Sequence, residues 1–173
     1  MKLKYFLPFI AILFIKCTPD REPILFEMEY FDESFTVSPA HDPLLTHVFK
    51  FDNIATRIDL FKDDFDFSES DIISITPRRF RITNISTADD YNFLNEVSVK
   101  LIDPNDPDRK FEIFYHIPNN QNLGASLDLV PNETDLKSFM FEDRFSVEVH
   151  LVRFRQRPPT SITTRFEMSF DVR

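Results

Sequence analysis

Asp103, Asn105, Asp106 and Asp108 put four hard oxygen donors within six residues, a density at which one loop can wrap a calcium ion. A second acidic run, Asp63, Asp64, Asp66, Glu69 and Asp71, offers the same kind of ligand. Neither run has the EF-hand spacing with its turn glycine and terminal glutamate, and Pro104 and Pro107 stiffen the first. Asp and Pro are equally the residues of a solvated turn, so the DPNDPD stretch reads first as a hairpin loop and second as a weak calcium candidate. The four histidines, His41, His47, His116 and His150, show neither the i, i+4 helical spacing nor the HxH strand spacing that aims two imidazoles at one zinc. No metal and no other cofactor is assigned.

Catalytic patterns are equally sparse. No serine lies in a Gly-x-Ser-x-Gly elbow, and no histidine stands in a triad context. The single glycine, Gly124, excludes the Gly-rich phosphate loops of nucleotide-binding folds. Acids are numerous enough for a glycosidase pair, but spacing along the chain does not reveal separation in space, which decides that chemistry. The expectation is a non-enzymatic binding or structural module, with an envelope glycan hydrolase using paired carboxylates as the alternative. A third idea is a barrel lined by the 21 phenylalanines around a small ligand.

Two basic segments stand out. Arg78, Arg79 and Arg81 lie on one, and Arg153, Arg155 and Arg157 alternate along another. On adjacent strands, Arg79, Arg81, Arg153 and Arg155 would make a positive stripe for an anionic partner. The plainer reading pairs these arginines across strands with acids such as Glu148 and Glu167. The loop Ile117–Ser126, IPNNQNLGAS, is the least regular stretch and a candidate for recognition.

The segment before Cys17 reads MKLKYFLPFIAILFIK: two early lysines, then an apolar run from Tyr5 to Ile15. That is the layout of a signal peptide. Crossing the hydrocarbon core takes about 20 apolar residues, more than this run supplies. Cys17 is the only cysteine, so it has no disulfide partner in the chain. The sequence Leu13-Phe14-Ile15-Lys16-Cys17 resembles the lipobox of bacterial lipoproteins, with Lys16 where that family prefers a small residue. The resemblance covers the first 17 residues. It implies cleavage before Cys17 by signal peptidase II, a diacylglycerol on the thiol, and an acylated amino terminus. Several acyl chains at about 0.8 kcal/mol per buried CH₂ anchor firmly where one does not. Asp20 and Glu22 follow closely, as in lipoproteins of the Bacteroidota type that reach the outer membrane, on its periplasmic face or the cell surface.

Cleavage there leaves 157 of the 173 residues. It removes Lys2, Lys4 and Lys16 from the 20 basic residues, so the mature chain carries 17 bases against 29 acids, a net of −12. Such a surface repels nucleic acid, which is not an expected partner. The expected partners are a membrane, through lipid on Cys17, and an envelope protein or glycan.

Residues 1–16 thus form the signal, 17–23 the lipidated cysteine and a short polar tether, and 24–173 one domain. Period-two alternation dominates that domain. It runs through Phe26, Met28 and Tyr30; Leu45, His47, Phe49 and Phe51; Val97, Val99 and Leu101; Phe111, Ile113 and Tyr115; Phe145 to Leu151; and Ile162 to Val172. Ile73 and Ile75 precede Pro77, with Phe80 and Ile82 on the opposite parity, which predicts a bulge or sheet switch at Pro77. Short helical turns are expected over Thr56–Phe65, capped by Thr56, and within Pro131–Met140, capped by Asn132 or Thr134. Seven to nine strands without βαβ alternation predict an all-β antiparallel sandwich, immunoglobulin-like or a related Greek key, with a closed barrel as alternative. The pattern loosely resembles Ig-like lipoproteins of unknown function from Bacteroidota.

Overall fold

The structure, a computed structural model, describes residues 22–65, 67–117 and 122–173. Eight strands follow one another: β1 (Phe26–Val37), β2 (Thr46–Ala55), β3 (Ile75–Asn84), β4 (Leu94–Ile102), β5 (Lys110–His116), β6 (Ser126–Pro131), β7 (Arg144–Phe154) and β8 (Ile162–Val172). Two short helices, α1 (Ile58–Phe65) and α2 (Lys137–Met140), sit in connections.

All pairings are antiparallel and follow one rule. β1 pairs with β8, β2 with β7, β3 with β6, and β4 with β5, so the chain is a long hairpin folded about the β4–β5 turn. Rolling that hairpin brings β8 against β3, β7 against β4, and β6 against β5. The order β1-β8-β3-β6-β5-β4-β7-β2 is that of an eight-stranded jelly roll, two interleaved Greek keys forming a sandwich. The Greek-key form of the expected sandwich is therefore the one adopted. Its two flanks differ. β6 gives residues 126–129 to β3 and then Val130 and Pro131 to β5, stitching the sheets together. On the opposite flank β1 and β2 are the two ends of the strand order and do not pair.

The core is where period two places it. Ile162, Thr164, Phe166, Met168, Phe170 and Val172 of β8 are all buried, and so are Phe145, Val147, Val149 and Leu151 of β7. Phe166 stacks on Phe80 at 5.0 Å, and Phe114 contacts both Phe80 and Phe170, so the rings fill the space between the sheets. Phe80, Phe114, Phe166 and Phe170 thus pack on one another at the density of a protein interior.

Five local expectations resolve differently or more finely. The register slips between Pro77 and Arg79, the expected bulge at the proline. Ile73 does not join the strand's inner face. It is exposed, and Ile72 is buried instead. In β5 the alternation breaks at Ile113, an extra residue between the Val99–Phe114 and Lys100–Glu112 pairs. Beyond that bulge Phe114 and His116 turn inward, and Tyr115 leaves the inner face. Thr56 caps no helix: its hydroxyl donates to the Glu142 carbonyl at 2.8 Å, tying two connections together. Neither Asn132 nor Thr134 caps α2: its N-cap position is Leu136, and the preceding Asp135 accepts both the Lys137 and Ile75 amides at Oδ1.

Candidate functional site

Cys17 and Asp66 lie outside the described residues. The DPNDPD stretch is the β4–β5 turn, and two of its acids, Asp103 and Asp106, are occupied with the turn itself. Asp103 accepts the Asn105 amide at 2.8 Å and the Arg109 guanidinium at 3.1 Å, and Asp106 accepts the Asp108 amide at 3.2 Å. The Asn105 amide, and then Arg109, hold the Asp103 carboxyl below the usual carboxylate range against the opposing effect of burial. A cation here would compete with Arg109 for the same oxygens.

The four candidate arginines are not brought together. Arg79 and Arg81 belong to β3 in one sheet; Arg153 and Arg155 lie at the end of β7 and just past it in the other. Arg81 makes a two-pronged contact with Asp128 at 2.6 and 2.7 Å, and Arg79 reaches the same carboxylate at 3.6 Å. Asp128 is held low chiefly by Arg81. This is the cross-strand pairing the sequence suggested, with Asp128 as the acid. Arg153 is exposed and takes a positive φ of 54°. Arg155 lies near enough to His116 to lower that imidazole's pKa, behind the larger effect of burial. Of the loop Ile117–Ser126, residues 118–121 lie outside the description; Leu123 donates to Asn92 Oδ1 at 2.7 Å.

Spacing hid one histidine pair. The β1–β2 connection folds His41 back onto His47, with ring centroids 4.3 Å apart, and His47 in turn stacks on Phe154. His41 Nδ1 accepts the Ser38 amide, and His47 Nε2 meets the Asp42 carbonyl at 2.8 Å. Burial, and then the neighbouring His47, hold His41 below its ordinary pKa. Among the described residues, no group of three His, Cys, Asp or Glu side chains is placed to hold a metal ion.

On the outer face of the β2–β7–β4–β5 sheet, Ser98 and His150 are directly cross-strand. The Ser98 hydroxyl donates to Glu112 at 2.5 Å, while His150 pairs with Glu148 at 2.9 Å. The serine proton therefore points away from the imidazole, and the row is a polar ladder rather than an activated nucleophile. Each described carboxyl that departs from its ordinary value, Asp52, Asp71, Asp103 and Asp128, is pushed down. A glycosidase acid requires the opposite shift.

Two surface clefts lie elsewhere. One, of about 440 Å³, is lined by Glu22, Ser74, Arg78, Glu133, Asp171 and Arg173, among others. Its cations are spent on protein acids: Arg78 and Arg173 each hold Asp171 at 3.0 Å, and Arg78 also reaches Glu27.

The other, of about 290 Å³, opens on the unstitched flank between β1 and β2. Both edges bulge there, β1 between Tyr30 and Glu33 and β2 between Phe51 and Ile54, where Asn53 has a φ of 61°. The bends part the strands locally. Side chains close the flank above and below the gap. Phe35 stacks on Phe49 at 4.3 Å, and the Tyr30 hydroxyl donates to the Thr56 carbonyl at 2.7 Å. Burial pushes the Tyr30 phenol well up, so it stays a neutral donor. Glu29, Phe31, Glu33, Asp52 and Arg57 line the cleft, with Phe166 also in its lining. Asp52 is held low, first by Lys50 and next by Ser146. Glu33 has no hydrogen-bonding or ion-pair partner among the described residues. Period-two reading placed Tyr30, Phe49 and Phe166 on strands but did not reveal the cleft, because bulges are set by pairing across strands.

No protein-family model matches the chain, and no curated protein matches it either. Among solved structures, a chain from Desmodium yellow mottle tymovirus is similar at 11% identity and a TM-score of 0.26, covering 98% of this chain and 94% of that one.

Proposed function

We propose that the protein is a membrane-anchored cell-envelope lipoprotein, held by lipid on Cys17 in the outer membrane, whose sandwich serves as a non-enzymatic binding module. The observation that carries this reading is the lone cysteine directly after an eleven-residue apolar run headed by lysines. Among the described residues no helix is long and apolar enough to cross a membrane.

The placement of charge supports the same reading. The described chain begins at the end of the sandwich where β1 starts and β8 finishes. Four residues separate Cys17 from Glu22, five Cα steps with a reach of at most about 18 Å. The connections at that end, 22–25, 56–65, 67–74, 103–109 and 132–143, carry thirteen carboxylates against Arg57, Lys62, Arg109 and Lys137. Those at the far end, 38–45, 85–93, 122–125 and 155–161, carry only Asp42, Asp89 and Asp90 against Arg155 and Arg157. An anionic leaflet repels the near end within about a Debye length, roughly 8–10 Å. The domain then stands off its anchor and leaves its flanks and far loops open to partners.

Metabolic labelling with a fatty-acid probe tests the anchor. Wild-type protein takes up label and fractionates with the outer membrane; Cys17→Ala loses both. Label that survives Cys17→Ala defeats the anchor. Glycan hydrolysis by the purified wild type would defeat the non-enzymatic reading independently.

A further inference from the structure

We infer that the open flank is a docking site for an extended, lysine- or arginine-bearing segment of a partner protein, added as a strand to the free edge of β2. The inference builds on the binding-module reading and names the surface and the partner's chemistry.

Edge strands invite pairing unless something blunts them, and the two edges here are treated differently. The first half of β1, FEMEYFDE, carries four acids and a bulge. The first half of β2, THVFKF, carries one charge, Lys50, and neither proline nor glycine, a composition of high strand propensity. Its partner β7 uses one side of it only, and no other strand pairs with its free side among the described residues. Thr46, Val48 and Lys50 are exposed along it, Val48 at 49%. Main-chain groups of β2 supply the binding energy of an added strand, and side-chain sites supply its selectivity.

Charge selects the occupant. A strand laid on β2 runs past the cleft where Glu29 and Glu33 lie, opposite Arg57 and the Lys50-paired Asp52, with Phe31 exposed at its rim at 54%. Basic side chains on the added segment reach these carboxylates, and the Phe31 face suits a cation as well. A second copy of this chain is a poor occupant, since it would bring its own acidic β1 edge towards this one.

The test uses the full mature chain in detergent micelles with two synthetic decapeptide probes, one alternating Lys with Val and one alternating Glu with Val. Binding is read by fluorescence anisotropy and amide exchange. The expected result is binding of the lysine probe only, with slowed exchange over residues 46–51. Val48→Lys, which arms the edge, and Glu33→Lys, which reverses the cleft, should each weaken it about ten-fold, while Asp108→Lys in the β4–β5 turn leaves it unchanged. Equal weakening by Asp108→Lys would reduce the effect to net charge and overturn the site. Equal binding of the glutamate probe, protection away from β2, or no binding would also overturn it. A dimer in sedimentation that Val48→Lys dissociates would assign the edge to self-association and overturn the peptide occupant. None of these outcomes bears on Cys17, so this site and the anchor fail separately.

Discussion

One flank of the sandwich is closed by backbone and the other by side chains. Where β6 runs from β3 to β5, main-chain hydrogen bonds join the sheets through Leu127, Leu129, Val130 and Pro131. Where β1 faces β2, closure rests on the Phe35–Phe49 stack, Phe51 against Phe166, and one phenol bonded to a carbonyl. Backbone closure tolerates many side chains, because every residue but proline brings the same donor and acceptor. Side-chain closure depends on particular rings, and leaves gaps where strands bulge.

The comparison is most exposed where both flanks draw on one residue. Phe166 stacks on Phe80 towards the interior and meets Phe51 edge-on at the open flank. Phe166→Ala should cost about 3–5 kcal/mol, read as a lower urea midpoint at unchanged slope. A loss below about 1 kcal/mol would show that the two flanks do not share one core.

Tyr30→Phe isolates the open flank. It strands the Thr56 carbonyl, which should cost about 1–2 kcal/mol. Amide exchange should quicken over residues 54–57 and stay unchanged in β5 and β6; faster exchange in both places would erase the distinction.

Acidification should act through His41 at the far end of the open flank and through His116 at the end of β5. Both are held below the ordinary 6.5, His41 by burial and then His47, His116 by burial and then Arg155. The unfolded chain takes up these protons first, so stability is complete above about pH 6.5 and is lost as pH falls through the lower folded values. His41→Asn, whose amide oxygen can take over the Ser38 amide, should flatten part of that fall in denaturation curves collected between about pH 7 and pH 5. A curve identical to wild type would remove His41 from the account.

The smallest effect belongs to the stitched flank. Asp128→Asn weakens the contact with Arg81, but that carboxylate is 54% exposed and β3–β6 pairing persists without it. Less than about 1 kcal/mol should be lost, and a larger loss would mean that side chains hold this flank too.

Much of the fold was legible because period two survives wherever one strand face is buried, as in β7 and β8. It failed at Ile113, where a bulge exchanged faces, and at Ile73, which falls before β3 begins. Caps misled for a related reason. Thr56 has the right chemistry for an N-cap, but a carbonyl from the β6–β7 connection uses its hydroxyl. For the candidate sites, residue types were readable and partners were not. Asp103 looked available until Arg109 and the Asn105 amide occupied it, and Arg79 with Arg81 looked like half of a stripe until Asp128 took both.

Taken alone, the sequence determined a β-sandwich, the acidity of its surface and the expectation of an anchor at Cys17, because alternation, charge and a lone cysteine after an apolar run are local properties. Only the tertiary structure decided the rolled order of strands, the stacking of His41 on His47, and the gap between β1 and β2. Those depend on which distant segments pair and where a register slips, and pairing over long range is settled by the packing of the whole core.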